Sequence, residues 1–207
     1  MKSIKLKLVV LGEQNVGKSS ILNRYKKKNF ILNSSSTIGV DFFISNIIKN
    51  NTEYVLHIWD TSGQEKFNSI ITSYYRNIAI ALLIFDVSDR NSFLKLSKWL
   101  SNIENYCNKD TIIKLIGNKC DKLKVVSLNE INDLCYDYNI DYIEVSAKNN
   151  INIDDIFNNI IDEVDTKIID CRLVPTKNNG ITIMDNFIVD DKYPKLESKK
   201  YKCCTIL

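Results

Sequence analysis

Short apolar runs alternate with stretches whose apolar residues recur every three or four positions, and this alternation holds to about residue 169. Ile4–Leu11 reads as a strand, a glycine-bearing loop follows, and a helix is predicted from about Lys18 to Lys28. Val40–Lys49 and Tyr54–Asp60 read as two strands joined at the turn-forming Asn50-Asn51. Ile78–Phe85 is apolar throughout, the pattern of a strand covered on both faces. Phe93, Leu96, Trp99, Leu100 and Ile103 mark one face of a helix, and Ile112–Ile116 forms another short strand. Leu128, Ile131, Leu134, Cys135 and Tyr138 mark a further helix, and Tyr142–Val145 a last strand. A final helix carries Ile153, Ile156, Phe157, Ile160, Ile161 and Val164 along one stripe, with Asp and Asn elsewhere. Repeated β–α units predict an α/β domain over residues 1–169. Its sheet should have six mostly parallel strands with helices on both faces, and ligands bound beyond the strands' carboxyl ends. After Ile169 the periodicity stops, and Pro175, Asn178-Asn179-Gly180, Asp190-Asp191 and Pro194 interrupt the rest, so 170–207 is expected to be a flexible tail.

Gly12-Glu13-Gln14-Asn15-Val16-Gly17-Lys18-Ser19 lies between the first strand and the first helix and fits G-x-x-x-x-G-K-[ST], the P-loop of an NTPase. Its glycines let backbone N–H groups converge on phosphate oxygens, and the helix adds the positive end of its dipole. Lys18 supplies a point charge at the outer phosphates, and the Ser19 hydroxyl can ligate Mg²⁺. The expected nucleotide contacts here are Gly12, Gln14, Asn15, Val16, Gly17, Lys18, Ser19 and Ser20. The loop alone does not separate ATP from GTP.

Asp60-Thr61-Ser62-Gly63-Gln64 follows a strand ending in Trp59. A carboxylate at that strand end can hold Mg²⁺ opposite Ser19, Gly63 can offer an unobstructed N–H to a γ-phosphate, and Gln64 can orient a water for attack. Each alone also suits a turn or surface residue. Asn118-Lys119-Cys120-Asp121 follows the strand ending at Ile116-Gly117. Guanine presents an N1–H and an exocyclic amine on one edge, and one carboxylate accepts both, which adenine cannot match. Asp121 is the expected specificity residue, Asn118 the brace of the loop, and the Lys119 stem a cover for the ring. Ser146-Ala147-Lys148 would close the other side of the base through the Ala147 N–H.

Together, these motifs, with Thr37 between the first two, resemble the Ras superfamily of small GTPases over residues 4 to about 169. The resemblance implies GTP and GDP as substrate and product, Mg²⁺ held by Ser19, Thr37 and Asp60, and Gln64 and Lys18 as catalytic residues. It also implies that Phe30 packs on guanine and that Thr37 grips metal and γ-phosphate only in the GTP state. Segments of about 30–42 and 61–75 become two switches released by hydrolysis. Thr37–Phe42, Trp59–Phe67 and Ser73-Tyr74-Tyr75-Arg76 are similar to the Rab branch, which acts in vesicle trafficking. Phe42, Trp59 and Tyr74 would be the exposed aromatic triad that effectors contact, or else plain core. Other branches fit less well, because the chain has no resemblance to a Rho insert, a Ran acidic tail or an Arf myristoylation site.

Charge and cysteines add the rest. A net charge of +3 gives no reason to expect nucleic acid as a partner, and no apolar run is long enough to span a bilayer. The amino terminus is not patterned as a signal peptide. Cys107, Cys120, Cys135 and Cys171 lack metal-like spacing and read as reduced thiols. Cys203 and Cys204 differ, since Cys204-Thr205-Ile206-Leu207 fits a C-a-a-X box favouring geranylgeranyl, with Cys203 a second site. Lys195, Lys199, Lys200 and Lys202 add attraction to an anionic leaflet. The expectation is a monomer in the cytosol and on the cytoplasmic face of intracellular membranes. Its partners would be an exchange factor, a GTPase-activating protein, a GDP-dissociation inhibitor or prenylation escort, and effectors. Gln14 and Asn15 stand where Ras has glycine, which suggests slow intrinsic hydrolysis. The rivals are a P-loop nucleoside kinase, disfavoured by the scarcity of arginine, and a GTP-dependent scaffold that does not hydrolyse.

Overall fold

The computed structural model describes residues 2–27, 37, 39–63, 73–169 and 175–184. Its elements are β1 (Lys2–Leu11), α1 (Lys18–Lys27), β2 (Val40–Lys49), β3 (Thr52–Thr61), β4 (Ile80–Asp86), α2 (Arg90–Leu94), α3 (Leu96–Tyr106), β5 (Ile112–Asn118), α4 (Leu128–Tyr138), β6 (Asp141–Glu144) and α5 (Ile153–Ile169). Beyond them lie a 3-10 turn (Lys177–Asn179) and β7 (Ile181–Met184). The sheet order is β2-β3-β1-β4-β5-β6; β2 pairs antiparallel to β3 and the other pairs in this row are parallel.

Central strands are buried on both faces, which explains their unbroken apolar sequence. From β1, Leu8 and Val10 enter a core closed by α1 and α5, through Ile21, Leu22, Ile156, Phe157, Ile160 and Ile161. Val9 and Leu11 point the other way, toward Trp99, Leu100 and Ile103 of α3 and Ile131 of α4. All seven β4 residues are buried between the two cores. Helix ends follow their local chemistry. A capping box joins Ser127 and Glu130 at the start of α4, and Asn139 ends that helix in the left-handed conformation at φ 50°. The helix expected around Phe93–Ile103 is divided at Lys95, and Asp89 caps its first part through the Asn91 N–H.

To the six expected strands the structure adds a seventh, taken from the segment expected to be a tail. β4 pairs with β1 only from Leu8 onward, which leaves the first half of β1 open on that side. β7 fills the gap antiparallel, with Leu6 opposite Ile181 and Ser3 opposite Met184. Lys7 N–H donates to the Gly180 carbonyl at 3.0 Å, and Ile181 is fully buried in the α1–α5 core. The breakers Asn178-Asn179-Gly180 therefore make the turn that leads into this strand. Strand burial predicts that Ile181→Ala lowers the unfolding free energy of the full chain by about 3 kcal/mol. A urea-denaturation midpoint unchanged from wild type would contradict that.

Candidate functional site

Gly12–Ser19, Asp60–Gly63, Asn118–Asp121 and Ser146–Lys148 lie at the carboxyl ends of β1, β3, β5 and β6, on one side of the sheet. The phosphate loop leaves β1 at Leu11 and re-enters regular structure at Lys18. Gly17 turns it at φ +97°, and a side chain there would meet the Asn118 amide at 2.3 Å. Lys18 is buried, and its Nζ donates to the carbonyls of Gly12 at 2.8 Å and Glu13 at 2.7 Å. Desolvation lowers its pKa to about 8, partly opposed by the charges of Asp60 and Glu13. The ammonium is therefore short of negative charge, which phosphate oxygens would supply.

Three oxygens converge beside it. Ser19 Oγ lies 2.7 Å from Thr37 Oγ1 and donates to Asp60 Oδ2 at 2.5 Å. Asp60 is buried, and its Oδ1 has no hydrogen-bond partner among the described residues. Burial raises its carboxyl pKa to about 6; the Ser19 hydrogen bond and Lys18 pull it down, and Asp41 pushes it up. An unpartnered carboxylate oxygen next to two hydroxyls is a donor set for a hard divalent cation, whose charge would offset that desolvation. Ser62 N–H donates to the Gly39 carbonyl at 2.8 Å, which ties the segment after Thr37 to the end of β3. Gly63 sits so close to the phosphate loop that an added Cβ would lie 2.3 Å from both the Gln14 nitrogen and the Glu13 carbonyl carbon.

On the other flank, buried Asn118 donates through Nδ2 to the Val16 carbonyl at 2.8 Å and accepts from the Ala147 N–H at 3.2 Å. It thereby locks the loops after β5 and β6 to the phosphate loop. Lys119, at φ 66°, extends its ammonium to the Asn15 carbonyl at 2.7 Å and pairs with Asp86 at 2.6 Å. Asp121 is exposed, with Oδ1 accepting from Ser146 Oγ at 2.5 Å, so its carboxylate is presented rather than buried. Lys148 is exposed, and Arg24 of α1 donates to the Ala147 and Lys148 carbonyls at 2.8 and 2.7 Å.

Phe30, Gln64, Cys203 and Cys204 lie outside the described residues. The other expected nucleotide and metal residues are described, with Gln14 and Asn15 exposed and Ser20 in the first turn of α1. Sequence reading missed Glu13, Asp86 and Arg24, whose partners lie 82, 33 and 123 residues away along the chain. The aromatic triad is contiguous, with ring centroids 4.6 Å apart for Phe42–Trp59 and 5.0 Å for Trp59–Tyr74. Phe42 is exposed, whereas Trp59 and Tyr74 are half-buried against the α3–α4 core. The strip is thus a surface with a core footing. Among the described residues, no helix is long and apolar enough to cross a membrane.

A family model described as the Ras family matches residues 7–166. The chain is 38% identical over 201 residues to the Ras-related protein Rab-8B of Dictyostelium discoideum, which covers 96% of this chain and 93% of the relative. It is 35% identical over 208 residues to Rab-11B of the same organism, covering 96% and 94%. With Rab-10 of Caenorhabditis elegans it shares 34% over 200 residues, covering 96% and 95%. The chain belongs to the Ras family and, within it, to the Rab small GTPases. The family match spans Gly12 to Lys148 and ends inside α5. β7 falls outside it, so the seventh strand is an addition to the matched part of the GTPase.

Proposed function

We propose that this Rab GTPase is a Mg²⁺-dependent switch in vesicle trafficking, holding effectors at a membrane while GTP-bound and releasing them after hydrolysis. The observation that carries this reading is the meeting of the Ser19, Thr37 and Asp60 oxygens beside the buried Lys18 ammonium. Thr37 comes from the segment before β2, and its hydroxyl reaches this cluster only when that segment lies against the phosphate loop. Ser19, Thr37 and Asp60 would hold Mg²⁺, which supplies charge neutralisation across the outer phosphates when bound. Lys18 contributes a second positive charge there, and Gln64 orients water for in-line attack on the γ-phosphate. Because so little covalent work falls to the protein, positioning dominates, and slow unassisted hydrolysis is the natural outcome.

The same reading makes Asp121 the selector of the base, with Asn118, Lys119, Ser146, Ala147 and Lys148 around it and Phe30 against the ring. Asp121→Asn should then convert preference from guanine to xanthine nucleotides, because an amide can donate to xanthine's extra carbonyl but cannot accept two hydrogens. Competition between GDP and XDP for the purified variant measures this, and undiminished preference for GDP would count against the assignment. Phe42, Trp59 and Tyr74 offer effectors an apolar strip that responds to closure on either side, since it bridges the two switch segments. Cys203 and Cys204, well beyond β7, are the lipid acceptors, and the neighbouring lysines strengthen attachment. Exchange factor, activating protein and GDP-dissociation inhibitor or prenylation escort complete the cycle.

A further inference from the structure

Glu13 is the second residue of a loop built to attract a polyanion, yet it brings a carboxylate there. Its side chain turns away from the loop to the start of α3. Oε1 accepts from Trp99 Nε1 at 3.1 Å, and Oε2 pairs with Lys95 Nζ at 2.8 Å. Its backbone faces the other way, with the carbonyl accepting from Lys18 at 2.7 Å and lying against Gly63. One residue thus joins the phosphate loop, α3 and the start of the second switch. The backbone that carries this carboxylate also takes the Lys18 ammonium, so the charge stands one side chain away from where the outer phosphates would sit.

A fixed negative charge at that point repels phosphates, and the repulsion is larger for a triphosphate than for a diphosphate. The side chain of Glu13 is only 20% exposed, so water screens it incompletely, whereas Lys95 reaches it from a surface position that is 59% exposed. We propose that the Lys95–Glu13 pair sets the relative affinity for GTP and GDP: Lys95 masks a carboxylate that would otherwise discriminate against the triphosphate. Trp99 holds that carboxylate toward α3 and is a positioning residue in the same device. This rests on the loop's reading as a guanine-nucleotide site.

Fluorescent GDP and a non-hydrolysable fluorescent GTP analogue, titrated with Mg²⁺ against the full chain at low and high salt, test the proposal. Lys95→Met should weaken the GTP analogue relative to GDP by about fivefold at low salt, with a smaller effect at high salt. Glu13→Gln keeps an acceptor for Trp99 while removing the charge, so the Glu13→Gln, Lys95→Met double variant should regain the wild-type ratio. A merely structural pair would shift both nucleotides together, and the second substitution would not repair the first. Equal loss for both nucleotides in Lys95→Met, an unchanged ratio, or failure of rescue overturns the proposal while leaving the nucleotide site intact. Binding of neither nucleotide by the wild-type chain overturns the reading of the loop and the proposal with it.

Discussion

Lys18→Ala is expected to lower affinity for both GDP and GTP by about two to three orders of magnitude, the loss typical of removing one partner from a desolvated charge contact. The ammonium is held in place by the Gly12 and Glu13 carbonyls, so it meets the phosphates without reorganising. Stability of the nucleotide-free protein should respond differently. A lysine whose folded pKa is lowered from 10.5 to about 8 binds protons more weakly when folded than when unfolded. Its charge therefore costs the empty fold stability at neutral pH, and the cost is relieved as pH rises from about 8 to 10.5. Alanine should abolish that rise and leave the empty fold no less stable at pH 7. Nucleotide titration, with urea unfolding of the stripped protein at pH 7 and 10, reads both effects. Affinity within tenfold of wild type would remove Lys18 from the phosphate site.

The local parts of this site were legible because their chemistry is written in consecutive residues. A glycine turn, a lysine and a hydroxyl must follow one another for a helix end to cradle phosphate, and the strand before them is apolar because both its faces are covered. The position of Asn118 at the end of β5 suggests a brace for the loop, and the residue bonds to Val16 and Ala147. Contacts that only folding creates were not legible. Glu13 looks like an arbitrary loop residue until Trp99 and Lys95 come beside it, and Arg24 looks like a surface residue of α1 until the Ala147 carbonyl reaches it. β7 escaped for another reason. Ile181-Thr182-Ile183-Met184 is too short to show a period, and the slot it fills exists only because β4 begins late against β1. The aromatic triad reads either as core or as a binding surface because Phe42 is exposed while Trp59 and Tyr74 pack partly against the core.

Gly63→Ala should separate the two nucleotide states more sharply than any other single change. The backbone at Gly63 needs no left-handed conformation, so alanine carries no intrinsic strain there. What it meets is the phosphate loop, since its methyl group would overlap the Gln14 nitrogen and the Glu13 carbonyl, neither of which can rotate aside. One of the two segments must retreat. The loop is held by Lys18, Asn118 and Lys119, so the retreat falls on the start of the second switch. With that approach blocked, the Gly63 N–H would be kept from a γ-phosphate. Hydrolysis should fall about a hundredfold, the scale of losing one aligned donor. GDP affinity should stay within a few-fold of wild type, because the diphosphate state does not require that approach. Trp59, four residues upstream and in ring contact with Phe42 and Tyr74, supplies an optical check. The part of the fluorescence change between GDP and a GTP analogue that Trp59→Phe abolishes, which separates it from the signal of Trp99, the chain's other tryptophan, should also disappear with Gly63→Ala. A full fluorescence change with normal single-turnover hydrolysis would mean that the second switch acts without closing on Glu13 and Gln14.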